Sequence, residues 1–312
     1  MAAVAVVIPT YNNLPELRQC LEALDQQTYK DFVAYVCVDG STDGTWTYLE
    51  KYRPAFVEAL THPDGKNHGR SAARNLALSF LSKHTWVAFL DSDSVPTPGW
   101  LEAFLAAGPQ PNEVLLGHTL YFAAENPHIW TAYLRWREGR RGMASPPQPR
   151  HFTTANAFLA SQLLLQAGGL DKQLRRYGME DTELGYSLAR FGTTFRYVRA
   201  ASVWKFVSVE VEQALVLLYE AARYNLPYLY AKYPHARQEL FGGRWLTQRW
   251  RQWLLTPFLL PFWARSALSY LPVAPPFLQK WLVRYLVFYA LGRGYWRKHL
   301  KLPLVQRLRP SP

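Results

Sequence analysis

The sequence predicts an α/β fold with a mostly parallel sheet, and three observations support this prediction. Continuous apolar runs of strand length occur at residues 4–8, 33–38 and 86–90, as expected for strands that are buried on both faces. Segments with the apolar spacing of helices separate these runs. Each run ends directly in a polar cluster. Strands that alternate with helices form parallel sheets, and ligands bind beyond the carboxyl ends of such strands.

The elements follow in chain order from this spacing. After the first strand, leucines spaced three, four and three residues apart predict a helix. The second strand is followed by a short helix near residues 46–52, and a longer helix over residues 70–82 leads into the third strand. Further along, a helix that begins at Glu180 has Phe191 on its apolar face and ends at Gly192.

Length and composition exclude a small disulfide-rich protein and a disordered one. The 312 residues are 49% hydrophobic, which suits about two globular units of ordinary size. With two cysteines and no C-x-x-C pair, the sequence indicates a reduced, cytoplasmic compartment. The first eight residues lack the basic segment and the cleavage site of a signal peptide, and they are predicted to form a strand. Since no run of about 18 apolar residues occurs, a simple membrane-spanning helix is not expected.

The net charge of +12 is concentrated at the carboxyl end. Residues 241–312 contain 12 Lys and Arg, no acidic residue and six of the 12 Trp, whereas the first 240 residues are neutral overall. The composition therefore changes near residue 240, and the two parts require separate interpretations.

Two carboxylates follow the third predicted strand. Asp91 and Asp93 are two residues apart, and residues at this spacing point the same way in an extended backbone. Such a pair suits a hard divalent cation that bridges carboxylate and phosphate oxygens. The alternative is a solvated turn with local side-chain hydrogen bonds, which a three-residue pattern alone does not exclude.

Two further polar clusters have both a functional and a structural interpretation. After the second strand, Asp39 can accept a hydrogen bond from a nucleotide base and Gly40 allows close backbone approach, although an ordinary strand-to-helix turn is the alternative. A helix dipole keeps a first-turn carboxylate such as Asp181 ionised and able to take a proton from an attacking hydroxyl. The alternative is that these acidic residues only cap the helix. Neither the P-loop nor the dinucleotide-binding glycine pattern is present.

These clusters occur within five motifs whose order resembles glycosyltransferase family 2, the inverting enzymes of the GT-A fold. The motifs are V-V-I-P-T-Y-N (6–12), V-D-G-S-T-D-G-T (38–45), G-R-S-A-A-R-N (69–75), F-L-D-S-D (89–93) and G-G-L-D with Y-G-M-E-D-T-E-L (168–184). The resemblance covers about residues 4–205. It implies a GT-A-type, Rossmann-like, mostly parallel sheet flanked by helices, with a nucleotide half over residues 1–115 and an acceptor half over residues 116–205. Residues 206–312 then form a helical carboxyl-terminal region, basic and Trp-rich from residue 241.

The resemblance also implies roles for individual residues. The implied donor is a nucleotide-diphosphate sugar, linked to UDP, GDP or dTDP, and the implied cofactor is Mg²⁺ or Mn²⁺ held by Asp93 with Asp91. Asp181 is the implied general base, and Glu180 orients neighbouring groups. The implied nucleotide-binding residues are Pro9, Thr10, Tyr11, Asn12, Asp39, Gly40, Ser41, Arg70, Arg74, Asn75, Asp91 and Ser92. The implied contacts to sugar or acceptor are Thr153, Thr154, Ala155, Asn156 and Lys205.

One position departs from the family pattern. Many relatives carry a His after the strand near residue 200, where it can complete the metal site, whereas this sequence places Trp204 or Lys205 there. A protonated lysine does not ligate a metal, but it can contact phosphate as a point charge. We therefore predict weaker metal binding, or partial replacement of the metal's charge by Lys205.

The basic, Trp-rich tail is predicted to lie on a membrane surface. Residues 244–254 and 278–291 combine apolar stripes with Lys and Arg, as in helices that lie in the interface of a bilayer. This predicts a cytoplasmic, peripheral position on the inner face of the cell membrane, with a polyprenyl-linked or other cell-envelope glycan as acceptor. Alternatives are packing on the catalytic domain or a second subunit, and a re-entrant membrane hairpin. Nucleic acid is not expected as a partner, because nothing besides the basic charge and the aromatic residues favours it.

Two other functions remain open from the sequence. A sugar nucleotidyltransferase has a related nucleotide-binding sheet, but it usually carries a glycine-rich loop after its first strand, where this sequence has P-T-Y-N-N (9–13). The second is a non-catalytic membrane scaffold that retains the fold. The joint presence of Asp39, Asp91, Asp93 and Asp181 argues against a scaffold.

Overall fold

The computed structural model of the protein describes residues 2–123, 129–140, 146–240 and 256–296. The chain divides into two compact units. The first, which contains the sheet, comprises Met1–Phe122, Glu138–Arg175 and Glu180–Phe206. The second, which is helical in its described part, comprises Ala123–Arg137, Arg176–Met179 and Val207–Pro312. The domain boundary that the sequence suggests at residue 205, and the division of the first domain at residue 115, stay predictions.

The first unit is built on an eight-stranded sheet within the described residues. Its strands are β1 (Val4–Thr10), β2 (Phe32–Val38), β3 (Val57–Thr61), β4 (Trp86–Leu90), β5 (Ser94–Pro96), β6 (Glu113–Phe122), β7 (Asn156–Ala160) and β8 (Thr194–Phe206). They lie side by side in the order β3-β2-β1-β4-β7-β6-β8-β5. The four strands from β3 to β4 are mutually parallel, β7 runs antiparallel to both of its neighbours, and β8 is parallel to β6 and antiparallel to β5. The predicted α/β class is therefore confirmed, and the three predicted strands are β1, β2 and β4.

Helices follow most strands. In chain order they are α1 (Leu14–Asp25), α2 (Thr45–Tyr52), α3 (Arg70–Asn75), α4 (Trp100–Ala106), α5 (Ile129–Gly139), α6 (Ser161–Ala167), α7 (Glu180–Ala189), α8 (Val211–Glu220), α9 (Leu226–Lys232), α10 (Ala236–Glu239), α11 (Pro261–Tyr270) and α12 (Pro276–Trp296). Short 3-10 segments occur at Leu78–Lys83, Pro149–His151 and Thr256–Leu259.

Two helical predictions require correction. The predicted helix over residues 70–82 is α3 followed by the 3-10 segment Leu78–Lys83, because the amides of Leu76 and Ala77 bond three residues back instead of four. The helix that begins at Glu180 ends at Ala189, and Phe191 is exposed beyond it instead of lying on its apolar face.

Strands β1, β2 and β4 are buried on both faces because helices cover both sides of the sheet. On one face, Leu17 of α1 and Trp100 of α4 belong to the apolar core. On the other face, Leu163 of α6 and Leu184 of α7 do. Each fully buried side chain of this size contributes about 1.5–3 kcal/mol. The strand ends that carry the polar clusters are therefore held by a packed core.

Strand pairing brings distant polar segments to one edge of the sheet. β1, β2 and β4 are parallel, so the loops that follow them leave at the same edge. In the antiparallel pair β4–β7, Leu90 lies opposite Asn156, so residues 153–155 reach that edge as well. In the antiparallel pair β5–β8, Ser94 lies opposite Lys205.

The second unit contains an irregular helix at its centre. Between α8 and α9 the chain makes one turn of π-helix at Ala221–Asn225. The Nδ2 atom of the buried Asn225 donates to the carbonyl oxygens of Arg176 and Gly178, at 3.1 and 2.6 Å. Within this unit α12 packs closely on α8, and Gly294 permits the approach because a Cβ there would lie 2.4 Å from the carbonyl oxygen of Tyr219.

The helices of the described ranges include none that is both long enough and apolar enough to cross a bilayer. The predicted apolar and basic segment at 278–291 lies within α12. The corresponding segment at 244–254 lies outside the described residues.

Candidate active site

Asp91 lies at the carboxyl end of β4 between two cations. Its Oδ1 atom accepts a hydrogen bond from Nη2 of Arg74 at 2.7 Å, and its Oδ2 atom accepts one from Nζ of Lys205 at 2.8 Å. Burial raises the pKa of the Asp91 carboxyl, but the charges of Lys205 and Arg74 outweigh burial and hold that pKa well below its usual range. Asp91 is therefore a carboxylate at any physiological pH.

Lys205 also contacts the second carboxylate of the D-x-D motif. Its Nζ atom lies 2.7 Å from Oδ1 of Asp93, so one ammonium bridges Asp91 and Asp93. The β5–β8 register produces this arrangement, since Lys205 lies opposite Ser94. Burial lowers the pKa of Lys205, but the two carboxylates outweigh burial and raise that pKa above its usual value. The side chain therefore remains charged.

This pair of carboxylates, as arranged, does not fit a divalent cation. Mg²⁺ and Mn²⁺ require several oxygen ligands that face a common point. The point that Asp91 and Asp93 share is taken by the Lys205 ammonium, and the other Asp91 oxygen is taken by Arg74. Among the described residues, no group of three or more His, Cys, Asp and Glu side chains is placed to hold a metal ion.

Asp181 lies in the first turn of α7 and is held by two hydroxyl groups. Thr154 donates to its Oδ1 atom at 2.6 Å and Thr153 to its Oδ2 atom at 3.2 Å. Both threonines directly precede β7, which begins opposite the end of β4. Asp181 is therefore at the same sheet edge as Asp91, and each of its oxygens keeps a lone pair for a further proton donor.

Glu180 has a different environment from its neighbour. It is 5% exposed, its Oε2 atom has no hydrogen-bond partner among the described residues, and its Oε1 atom lies 3.9 Å from Nη1 of Arg70. Burial, followed by the charge of Asp181, raises the pKa of Glu180 to about 7. In its protonated form Glu180 removes a like charge beside Asp181.

Asp39, the predicted base-binding residue, also organises a loop. Its two oxygens accept hydrogen bonds from the backbone amides of His68 and Gly69, at 2.7 and 2.9 Å. The next residue, Gly40, has φ +70°, and a Cβ there would lie 2.5 Å from the backbone nitrogen of Asn67. Asp39 and Gly40 therefore tie the loop before α3 to the end of β2.

Sequence reasoning did not identify His62, whose Nε2 atom lies 3.2 Å from Oδ1 of Asp39. His62 follows β3, a strand that the sequence analysis did not predict because its residues V-E-A-L-T are only partly apolar. The signal that could have found it is a third parallel strand ending directly before a histidine.

The loops that follow β1 and β2 are joined by hydrogen bonds. Asn12, at φ +49°, accepts a hydrogen bond at Oδ1 from the Thr42 amide, and its own amide donates to Oγ of Ser41. Ser92 accepts a hydrogen bond from Asn13 at 2.9 Å. Pro9 and Thr10 end β1, and the exposed Tyr11 directly precedes Asn12. The structure thus brings together most of the predicted nucleotide-binding residues.

Two predicted site residues use their side chains for hydrogen bonds within the protein. Asn75 exchanges two hydrogen bonds with the backbone of Leu170, at 2.7 and 2.9 Å. Asn156 is 0% exposed, and its side chain bonds the indole of Trp100 and the carbonyl oxygens of His118 and Ala201. We therefore do not include Asn156 among the residues proposed to contact sugar.

Comparison of the sequence with known proteins finds a matching family and several relatives. The family model described as Glycosyl transferase family 2 matches residues 5–167. Chondroitin synthase of Escherichia coli is 26% identical over 235 residues, which cover 64% of this chain and 34% of that protein. The Escherichia coli protein UDP-Glc:alpha-D-GlcNAc-diphosphoundecaprenol beta-1,3-glucosyltransferase WfaP is 34% identical over 93 residues, which cover 30% of this chain and 36% of that protein. This chain spans about a third of the length of these curated relatives.

A solved structure shows the same fold over nearly the whole chain. Mannosyltransferase PcManGT from Pyrobaculum calidifontis, in complex with GDP-Man and Mn²⁺, matches with a TM-score of 0.59. The match covers 95% of this chain and 88% of that chain, at 16% identity. The shared fold is a curled, mostly parallel sheet with flanking helices, the GT-A type.

Proposed function

The chain belongs to glycosyltransferase family 2, and from this membership we propose that it transfers a sugar from a nucleotide-diphosphate sugar to a hydroxyl acceptor with inversion, with Asp181 as the general base. One observation carries the proposal. Asp181 is held by Thr153 and Thr154 at the sheet edge where Asp91 follows β4. A base and a charged donor site at one edge are what a single displacement requires.

The proposed reaction has one step. The acceptor oxygen attacks the anomeric carbon of the donor, and the bond from that carbon to the diphosphate oxygen breaks. The acceptor's proton passes to Asp181, and the electron pair of the broken bond leaves with the diphosphate. Attack from the side opposite to the leaving group inverts the anomeric centre. The two threonine hydroxyls hold Asp181 in one orientation. This reduces the conformational entropy that is lost when the base is positioned for proton transfer.

The donor is proposed to lie over the carboxyl ends of β1, β2 and β4. Pro9, Thr10, Tyr11 and Asn12 follow β1, and Asp39, Gly40 and Ser41 follow β2. Arg70 and Arg74 of α3 supply positive charge near Asp91 and Glu180. The charges of both arginines act to lower the pKa of each of these two carboxyl groups. This charge suits a diphosphate. GDP-Man in the PcManGT complex and UDP-Glc in the name of WfaP support a nucleotide-sugar donor.

A panel of UDP-, GDP- and dTDP-sugars tests this proposal by thermal unfolding, with and without Mn²⁺. A ligand at 100 times its dissociation constant adds about 2.7 kcal/mol of stability. We expect one nucleotide class to raise the melting temperature by about 5 °C. Transfer to acceptor hydroxyls is then measured with the donor that binds. If ATP or NAD stabilises the protein while no nucleotide sugar does, the proposed donor is wrong.

The second unit is proposed to contact a lipid surface. Its described part exposes large apolar side chains on and beside α11 and α12: Phe258, Leu260, Phe262, Trp263, Tyr270, Val273, Phe277 and Trp281. The exposed cations Arg265 and Arg284 belong to the same helices. Aromatic residues with Arg and Lys, and no acidic residue from 241 onward, suit the interface of an anionic bilayer. A peripheral position on the inner face of the cell membrane and a polyprenyl-linked acceptor belong to the same proposal, and the printed name of WfaP contains such an acceptor.

Vesicle cosedimentation tests the lipid contact. We expect the protein to pellet with vesicles that contain phosphatidylglycerol, and a variant with Phe262→Ser, Trp263→Ser, Phe277→Ser and Trp281→Ser to bind at least about tenfold more weakly. Folding is expected to persist because these four side chains are 54–70% exposed. Tyr52→Ser is the matched control, since Tyr52 is equally exposed but lies on α2 of the first unit. Equal pelleting of the fourfold variant and the wild type contradicts the membrane proposal.

A further inference from the structure

The D-x-D pair holds a protein cation at the point where a divalent metal ion would have to bind. Lys205 Nζ lies 2.8 Å from Oδ2 of Asp91 and 2.7 Å from Oδ1 of Asp93. We propose that Lys205 replaces the divalent cation in this enzyme, so that sugar transfer proceeds without bound Mg²⁺ or Mn²⁺. The inference rests on the proposed function and names the group that faces the diphosphate of the donor.

The position of Lys205 is fixed by the sheet. Lys205 lies opposite Ser94 in the β5–β8 pair, and Asp93 directly precedes Ser94. The contact therefore depends on strand register and on the short turn between β4 and β5 that carries Asp91 and Asp93. The same strand, β8, pairs with β6 over most of its length, so a long ladder holds the backbone of Lys205 in this register.

A lysine and a metal ion cannot share this point. Both would lie within bonding distance of Asp91 Oδ2 and Asp93 Oδ1, where two cations repel each other strongly. Metal binding would require the ammonium to leave both carboxylates. The second Asp91 oxygen offers no alternative, because it bonds Arg74 at 2.7 Å, and Arg74 itself is buried.

Positively charged side chains of the protein can stabilise the leaving group. When the bond to the anomeric carbon breaks, the diphosphate gains negative charge that a nearby cation stabilises. Lys205 contacts Asp91 and Asp93, Arg74 contacts Asp91, and the charge of Arg70 also acts on Asp91. A lysine ammonium can donate to a phosphate oxygen as well as to carboxylates because it has three hydrogens.

The inference predicts that removal of the lysine creates a metal site. In Lys205→His, an imidazole would face the two carboxylates and complete a donor set of one nitrogen and two carboxylate groups, which Mn²⁺ accepts. In Lys205→Ala, the carboxylates remain without the cation between them. Both variants are therefore expected to bind Mn²⁺ more tightly than the wild type does.

The test measures Mn²⁺ binding directly, by isothermal titration and by the spin-resonance signal of free Mn²⁺, in the full chain without nucleotide. We expect weak binding or none for the wild type and at least about tenfold tighter binding for Lys205→His. Lys51→His, an exposed change on α2, is the matched control and should bind as the wild type does. Tight binding of Mn²⁺ by the wild type at Asp91 and Asp93 overturns the inference.

Turnover supplies the second measurement. With the donor found in the nucleotide-sugar panel, wild-type activity should change less than about twofold in excess EDTA, whereas Lys205→Ala should lose about 10²-fold and recover in part with Mn²⁺. Full dependence of the wild type on added metal overturns the inference even if the variants do not fold. If no nucleotide sugar is turned over under any condition, the proposed function fails, and the Mn²⁺ titration still decides whether lysine has replaced the metal.

Discussion

Asp181→Asn is expected to lower kcat by about 10²–10⁴, the usual contribution of a general base, while donor affinity stays within about twofold of the wild type. The amide has nearly the same shape as the carboxylate. Its oxygen can accept the hydrogen bond from one threonine hydroxyl, and its NH2 group can donate to the other, because a hydroxyl also accepts. The amide cannot accept the proton of the acceptor hydroxyl. The effect therefore falls on the chemical step, and single-turnover rates with saturating donor measure it.

Asp25→Asn is the matched control for this variant. Asp25 is the exposed last residue of α1, so the same chemical change occurs outside the carboxylate cluster and should leave kcat unchanged. Thermal unfolding of both variants shows whether the fold is retained. If Asp181→Asn turns over at the wild-type rate, Asp181 is not the base; the same loss in both kcat and donor affinity would instead indicate a structural role.

Asn156→Ala is expected to lower the free energy of unfolding by about 3 kcal/mol or more. The buried Asn156 side chain accepts a hydrogen bond from the Trp100 indole and donates to the carbonyl oxygens of His118 and Ala201. Each buried polar group left without a partner costs about 1–3 kcal/mol. Urea unfolding followed by tryptophan fluorescence measures the change, because Trp100 itself loses a partner.

The functional measurement separates this role from the one that the family resemblance implied. If Asn156 is structural, the folded fraction of the variant should bind donor and acceptor with constants close to those of the wild type. Asn112→Ala, an exposed change in the turn before β6, should alter stability by less than about 0.5 kcal/mol. If Asn156→Ala keeps its stability but binds sugar poorly, Asn156 contacts the substrate and its role is not structural.

The strands that matter most for the site could be predicted from the sequence because their signal is local. Residues 4–8, 33–38 and 86–90 are apolar without interruption and have the length of strands, as expected for strands that are covered on both faces. The polar residues directly after each run then belong to one sheet edge, since parallel strands share their direction. The family membership confirmed from these motifs follows from the same short segments.

Roles that depend on burial were harder to predict. Asn156 and Asp181 both belong to segments that resemble a substrate site, yet Asn156 lies in the middle of the sheet because β7 is inserted between β4 and β6. Nothing in the local sequence distinguishes a satisfied interior amide from one that faces a ligand. His62 was missed for a related reason, because the partly polar strand β3 gives only a weak pattern.

The sequence by itself determined the fold class, the family and the set of acidic residues, because each of these depends on short runs of adjacent residues. Only the tertiary structure decided what neutralises the acidic residues. Lys205 and Asp91 are 114 positions apart in the chain, and the register of two antiparallel strands places the ammonium between the carboxylates. Coulombic energy depends on distance in space, which the order of residues does not specify until the sheet has formed.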